Sequence, residues 1–152
     1  MLALLFQVGA DRVAVDVRRV REVVPRVQLS VAVGGPNWVA GRFVYRGRVV
    51  PVIDLHALVG VGPCPPHLSS RIILLPWPAE GELVGLLATQ VADIRRIDPP
   101  ANATPADADT TLGPVVPDGQ GLLRLLHPDR LLTTLAARSG GLIPAPLAGG
   151  VP

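Results

Sequence analysis

The sequence predicts a mostly β domain with one short helix near its C-terminus, and three observations lead to this fold class. Apolar residues make up 49% of the chain but aromatic residues only 3%, so valine, leucine, isoleucine and alanine must fill the core. β-Branched side chains pack well on sheets. Apolar runs of strand length recur along the 152 residues, separated by glycine and proline turns. One stretch, near the C-terminus, spaces its leucines as a helix does.

The first part of the chain predicts a hairpin. Residues 2–8 are apolar enough for a buried strand, and residues 12–16 alternate strictly after a glycine turn. The next segment, 17–24, fits either one helical turn or a strand, because its valines satisfy both spacings. Pro25 limits any helix there to about one turn. A further short strand is predicted over 28–33.

Residues 38–45 and 49–55 predict a second pair of strands around the turn R-G-R at 46–48. Glycine adopts positive φ without steric cost, so Gly47 suits the tip of this hairpin. The segment 60–70 that follows contains three prolines and predicts a stiff, extended loop.

The C-terminal half predicts four more strands and the helix. The strands are expected over 71–75, 83–88, 91–97 and 121–126, with a polar loop at 99–111. Pro128 and Asp129 suit the first turn of a helix that runs to about residue 138. We therefore expect one domain over 1–138. Residues 139–152 show no pattern and are predicted to be a disordered tail.

Charge and cysteine content exclude several classes of function. All 14 cationic residues are arginine, yet the net charge is only +2, which leaves a weak electrostatic footprint for nucleic acid. Cys64 is the single cysteine, so an internal disulfide is excluded. His56, His67 and His127 lack the spacing of metal ligands. The sequence therefore predicts no metal, no cofactor and no nucleic-acid partner.

Catalytic motifs are absent from the sequence, which contains no G-x-S-x-G, phosphate-binding loop or dinucleotide fingerprint. Asp54 and His56 form one candidate acid–histidine pair, without an identifiable nucleophile to complete a triad. An enzyme that uses Asp54, His56 or Cys64 is a minor alternative, and a non-catalytic interaction domain is the prediction. No apolar run reaches the length of a membrane span, and we expect a cytoplasmic protein.

Five blocks of sequence, in order, resemble the CheW-like family of chemotaxis coupling proteins. The first block ends in V-R-E-V at 20–23, similar to the family's V-x-E-[IV]. The most specific is W-V-A-G-R-F-V-Y-R-G-R-V-V-P-V-I-D-L at 38–55, where the family carries G-x-x-N-x-R-G-x-[IV]-x-P-[IV]-[IV]-D-L. The later strands and the final helix of the family have similar sequences in this chain at residues 70–75, 82–94 and 118–132. The resemblance covers residues 2 to about 136.

This resemblance implies a fold of two intertwined five-stranded SH3-like β-barrels with a short C-terminal helix. It implies a non-catalytic adaptor that couples the cytoplasmic tip of a methyl-accepting chemoreceptor to the regulatory domain of a CheA-type histidine kinase. Such a protein is expected in the cytoplasm, peripherally associated with membrane receptor arrays and without direct membrane insertion.

The resemblance also implies roles for single residues. Glu22 and Arg46 are expected to pair, since a planar guanidinium grips a carboxylate bidentately, either as a structural contact alone or beside a partner surface. The candidates for the receptor or kinase interface are Val20, Glu22, Val44, Tyr45, Arg46 and Gly47. The residues expected to serve turns and core are Gly41, Pro51, Asp54 and Gly85. Asp54 is expected to satisfy loop amides where its strand ends.

Three residues depart from the family pattern. Val44 stands where the family has asparagine, Thr89 where it has aspartate, and Arg42 at a position that is commonly apolar or small. These changes favour the alternative of a coupling protein for a non-flagellar system, such as one that controls type IV pili or gene expression. An SH3-like RNA-binding module is the remaining alternative.

Overall fold

Nine strands and two α-helices make up the part of the chain that this computed structural model describes, which is residues 1–31, 33–66, 69–98 and 111–146. The strands are β1 (Leu2–Val8), β2 (Asp11–Asp16), β3 (Glu22–Pro25), β4 (Val39–Tyr45), β5 (Arg48–Asp54), β6 (Arg71–Pro76), β7 (Leu83–Arg96), β8 (Val115–Asp118) and β9 (Gly121–Leu125). The helices are α1 (Leu55–Leu58) and α2 (Pro128–Arg138), and a 3-10 turn spans Val17–Arg19. The predicted mostly β fold with a short helix near the C-terminus is confirmed.

The long strand β7 belongs to two halves of the sheet. Its first part pairs antiparallel with β6 and parallel with β5, and its second part pairs antiparallel with β1. One half therefore has the order β4-β5-β7-β6-β3, and the other has the order β7-β1-β2-β9-β8. Each half contains five strands when β7 is counted in both. The pairing of the described strands closes neither half, so the two barrels stay a prediction.

The largest core cluster joins the two halves. It contains Phe6 of β1, Ile53 of β5 and Leu86 of β7, all almost fully buried. Two leucines of α2, Leu132 and Leu135, pack into the same cluster. Burying the apolar face of α2 here is what holds the helix on the sheet, since so short a helix is marginal by itself. Neither helix of the described chain is long and apolar enough to cross a membrane.

Several element boundaries differ from the predictions. β7 runs on through Gln90, although this residue has a φ of 51°, because β1 pairs with it on both sides of a register shift. Of the strand predicted over 28–33, the described residues form one bridge, between Ser30 and Arg42, and residue 32 lies outside them. The segment 17–24 divides into a 3-10 turn and β3, so each of its two interpretations is right for one part.

Two elements were missed by the sequence reasoning. β8 lies in a stretch with Pro114 and Pro117, and prolines argue against a strand unless it lies at an edge. β8 is such an edge strand, paired with β9 alone among the described strands. Of α1, only Leu55 was included in a prediction, as the end of the strand over 49–55, whereas Asp54 caps a helix there and turns the chain.

Two residues after α2 are held on the rest of the fold. Ile143 is 1% exposed and belongs to the largest core cluster. The indole Nε1 of Trp77 donates a hydrogen bond of 2.8 Å to the carbonyl of Pro144. Disorder was predicted from residue 139 onwards, and these two contacts lie inside that predicted tail. Residues 147–152, and the predicted loop from 99 to 110, lie outside the described residues.

Asp118 ties three strands of the second half together. Arg12 of β2 donates two hydrogen bonds to its carboxylate, of 3.1 and 2.8 Å, and Arg95 of β7 donates a third. The backbone N–H of Gln120 donates another of 2.9 Å. The Asp118 side chain is only 9% exposed. These donors, Arg12 above all, lower the pKa of Asp118 to about 2.

This lowered pKa predicts a pH-dependent part of the stability. Because the pKa of Asp118 is lower in the folded protein than its ordinary 3.8, its contribution is complete above that value and disappears as the pH falls towards about 2. We expect Asp118→Asn to cost about 1–2 kcal/mol of unfolding free energy at neutral pH, discounted for the partial exposure of its arginine partners. Urea unfolding between pH 7 and 2 measures this.

The matched control is Asp98→Asn, which removes a carboxylate that is 87% exposed. The wild-type protein and the control should lose stability in parallel on acidification, whereas Asp118→Asn should show a flatter curve. Equal slopes for all three proteins would contradict the role given to Asp118.

Candidate functional site

The tip of the β4–β5 hairpin is a two-residue turn. Tyr45 pairs with Arg48, which leaves Arg46 and Gly47 between the strands. Both have positive φ, 48° and 78°, as the hairpin turn with right-handed strand twist requires. A Cβ at Gly47 would meet no atom within 4 Å, so the backbone conformation alone calls for glycine there.

β3 brings Glu22 to this tip. The Tyr45 hydroxyl donates a short hydrogen bond to Oε2 of Glu22, and Nη2 of Arg46 lies 3.6 Å from Oε1. The guanidinium of Arg46 also lies 5.1 Å from the centre of the Tyr45 ring, within reach of a cation–π contact. The three side chains form one cluster, which we call the tip cluster. The hydrogen bond with Glu22 raises the pKa of Tyr45.

This geometry differs in detail from the expected pair. The Arg46–Glu22 contact is a single ion pair at a distance longer than a hydrogen bond, and not a bidentate grip. The hydrogen bond that orients Glu22 comes from Tyr45, which the sequence reasoning named only as an interface candidate. Tyr45 and Arg46 share the carboxylate of Glu22, so a double mutant is needed to separate their two contributions.

Two exposed valines lie on the opposite face of the same hairpin. Val44 and Val49 are direct cross-strand partners and are 69% and 65% exposed. Tyr45 alternates with Val44, so its ring turns towards Phe43, which it meets edge to face with ring centres 6.4 Å apart. Val49 was missed by the sequence reasoning. A two-residue turn fixes the register of the two strands, so the position of Val49 opposite Val44 could have been predicted from the sequence.

The other predicted residues are spread over the first half of the sheet. Val20 is half-buried against the largest core cluster. Pro51 is half-buried in β5 opposite Arg42. Gly41 has a φ of 143°, and a Cβ there would lie 2.7 Å from the carbonyl oxygen of Ser30. A Cβ at position Gly85 would lie 2.6 Å from the Ile72 side chain.

Asp54 is buried at the end of β5, where it serves three backbone donors. Its Oδ1 accepts from the N–H groups of His56 and Ala57, at 2.9 and 3.2 Å, and its Oδ2 accepts from that of Cys64 at 2.9 Å. The carboxylate therefore caps α1 and holds the following loop at the same time.

The same arrangement argues against an acid–histidine–thiol site. The oxygens of Asp54 are bonded to backbone N–H groups, and no bond from them to the His56 ring is present among the described contacts. Cys64 is buried, and this burial raises the pKa of its thiol, whereas a nucleophile needs a lowered one. The described residues also contain no group of three or more potential metal ligands.

Comparisons with known proteins relate the chain to one family. The family model described as CheW-like domain matches residues 2–136. FrzA of Myxococcus xanthus is 30% identical over 140 residues, which cover 88% of this chain and 86% of FrzA. A probable chemotaxis protein CheW of Rhizobium etli is 30% identical over 91 residues, 60% of this chain and 57% of that protein. The match to this second relative thus spans little more than half of its length.

A solved structure shows the same fold. The crystal structure of the scaffolding protein TtCheW from Thermoanaerobacter tengcongensis superposes with a TM-score of 0.70 and covers 83% of each chain. The two sequences are 24% identical. The likeness therefore shows the same fold over most of the chain.

Proposed function

Because this chain belongs to the CheW-like domain family, we propose that it is a non-catalytic scaffold that couples chemoreceptors to a histidine kinase in chemotaxis-type signalling. The observation that carries this proposal is the family match over 2–136, which takes in every described strand and nearly all of α2. The partners we propose are the cytoplasmic tip of a methyl-accepting chemoreceptor and the regulatory domain of a CheA-type kinase. Such a protein works in the cytoplasm, at the periphery of membrane receptor arrays.

The hairpin tip is the partner surface that we propose. Val44 and Val49 form an exposed apolar pair, and the charged tip cluster lies at the same end of the hairpin. Protein interfaces combine an apolar centre with a polar rim, and arginine and tyrosine are enriched in them. In this arrangement the valines supply the contact area. Glu22, Tyr45 and Arg46 hold the turn in shape and give the rim its charge.

One departure from the family pattern supports the alternative of a signalling system other than a flagellar one. Val44 replaces the asparagine expected from the family pattern with an exposed apolar side chain in the middle of the proposed surface. A partner that binds this surface should present a complementary apolar patch.

Calorimetric titration of the protein with the regulatory domain of each CheA-type kinase of its own genome tests the coupling role. We expect binding to one kinase, and we expect Val44→Asp to weaken it at least about tenfold, equal to 1.4 kcal/mol. Arg46→Ala should weaken it less, since an exposed rim charge contributes little to affinity.

Leu122→Asp is the matched control, because Leu122 is 65% exposed, like Val44, but lies in β9 in the other half of the sheet. It should bind like the wild-type protein. If Val44→Asp and the control weakened binding equally, the interface would not lie on the hairpin. A folded protein that binds none of the kinases would refute the coupling role and favour the RNA-binding alternative.

A further inference from the structure

A second feature of the fold lies apart from the hairpin, at the point where β7 passes from one half of the sheet to the other. An open cleft of about 720 Å³ is bounded there by the end of β1, by β7, by α1 and by the loop after it. One wall is apolar and consists of Val61, Pro63 and Pro65. The other walls carry side chains that form hydrogen bonds, which are discussed below.

His56 lies in the wall of this cleft and carries a buried nitrogen without a partner. The residue is 5% exposed, and its Nε2 is the one buried side-chain nitrogen or oxygen of the described chain without a hydrogen-bond partner. Its backbone is fully used, with the N–H bonded to Asp54 and the carbonyl to the N–H of Val61. Leaving a buried polar group unpaired destabilises a fold, and such groups in native proteins call for an explanation.

The polar walls of the cleft carry hydroxyl and amide groups. Gln7, Ser69, Thr89 and Gln90 line it, and the hydroxyl of Thr89 already donates to the carbonyl of Gln7 at 3.2 Å, which leaves its lone pairs free to accept. None of the described lining residues is aspartate, glutamate, lysine or arginine. A charged ligand would lose hydration there without gaining a counter-charge, so the lining suits an uncharged one.

Gln90 shows a second unusual feature at the same place. It is one of two non-glycine residues with positive φ among those the structure describes, and the other, Arg46, serves the hairpin turn. Residues other than glycine adopt a positive φ at a cost in free energy, and such strain concentrates at ligand sites. The strained conformation keeps an exposed amide on the rim of the cleft.

We propose that this cleft binds a small uncharged molecule that carries several hydroxyl groups, of the polyol or sugar class, with one hydroxyl bonded to Nε2 of His56. A hydroxyl both donates and accepts, so it satisfies Nε2 in either tautomer of the imidazole. Because Nε2 is buried, the proposal requires a half-turn of the ring about χ2, which exchanges Nε2 with Cε1 without movement of the backbone and turns the nitrogen to the ligand. The amides of Gln7 and Gln90 bond further hydroxyls, and the proline wall packs against the carbon skeleton.

The experiment is a titration of the ¹⁵N-labelled full chain with glycerol, D-glucose and myo-inositol, followed by the ring resonances of its histidines. At least one of the three should shift the His56 signals saturably, with a Kd of about 10 mM or tighter. The signals of His127, which does not line the cleft, should stay in place. Inositol phosphate should bind at least about tenfold more weakly, because the cleft offers no counter-charge.

Two variants keep the test independent of folding. His56→Phe retains a ring but removes the nitrogen, and it should abolish the saturable change, now followed on the amide signals of Ser69 and Gln90. Gln90→Gly relieves the positive φ and should raise the Tm, yet it should weaken the Kd several-fold because one amide is lost. Unchanged affinity in both variants, or no saturable shift of His56 with any of the three probes, would overturn the proposal. Binding to a kinase is not part of this readout.

Discussion

Replacing Gly113 with alanine is expected to cost at least about 4 kcal/mol of unfolding free energy, most of the stability of a domain at the lower end of the ordinary range. Gly113 has a φ of 92°, and a Cβ built there would lie 1.7 Å from the carbonyl oxygen of Leu125. Backbone atoms cannot swing aside as a side chain does. The segment before β8 would have to move away from β9 and lose the hydrogen bond from the N–H of Leu125 to the carbonyl of Pro114.

The matched control for this substitution is Gly62→Ala. Gly62 has a φ of 91°, but no atom lies within 4 Å of its Cβ position. The substitution should therefore cost only the free energy of placing alanine in a left-handed conformation, about 1–2 kcal/mol. Urea unfolding of both variants, with the yield of folded protein, measures the difference. If the two variants lost the same amount, the close approach to Leu125 would not be the reason for glycine at 113.

The second large effect is expected at Asp54. Asp54→Ala removes the acceptor of three backbone N–H groups, and the N–H of Cys64 among them is buried. The loss of the helix cap together with a buried unsatisfied donor should cost about 3 kcal/mol. Asp54→Asn should cost less, because its amide oxygen still accepts from α1, although its NH2 donor then faces the N–H of Cys64.

Asp16→Ala is the control for this prediction. Asp16 also caps a short helical turn, but it accepts one backbone hydrogen bond, from Arg18 at 2.9 Å, and forms an ion pair with the 83% exposed side chain of Arg18, which water can solvate after the substitution. Its loss should cost about 1 kcal/mol or less. Thermal unfolding followed by circular dichroism compares the three variants, and equal costs for Asp54→Ala and Asp16→Ala would show that the bond to the loop adds nothing.

The elements that the sequence predicted well are those whose signals are local. The helix from Pro128 to Arg138 was predicted with its correct end, because proline in its first turn and leucines at helical spacing lie within the helix itself. The β4–β5 hairpin was predicted for the same reason, with Gly47 in its turn. β8 escaped detection, because whether a proline is tolerated in a strand depends on which neighbours the strand has.

The candidate site was only partly accessible to sequence reasoning. The proximity of Glu22 and Arg46 followed from a family resemblance, since 24 positions separate them and no spacing rule links them. That Tyr45 donates to Glu22, and that Val44 and Val49 stand side by side in solvent, required the pairing of β3, β4 and β5 with their neighbours. The cleft beside His56 gave no signal, because it forms where β1, β7 and α1 meet.

The sequence by itself determined the strand-rich class of this protein, its final helix and its family, because periodicity, turn residues and ordered motifs are properties of short segments. Tertiary structure alone decided that one strand serves both halves of the sheet, that Ile143 packs in the core, and which side chains share a carboxylate or line a cleft. The physical reason is that these outcomes depend on contacts between residues far apart in the chain, and burial and hydrogen bonding select them only when the whole chain has folded.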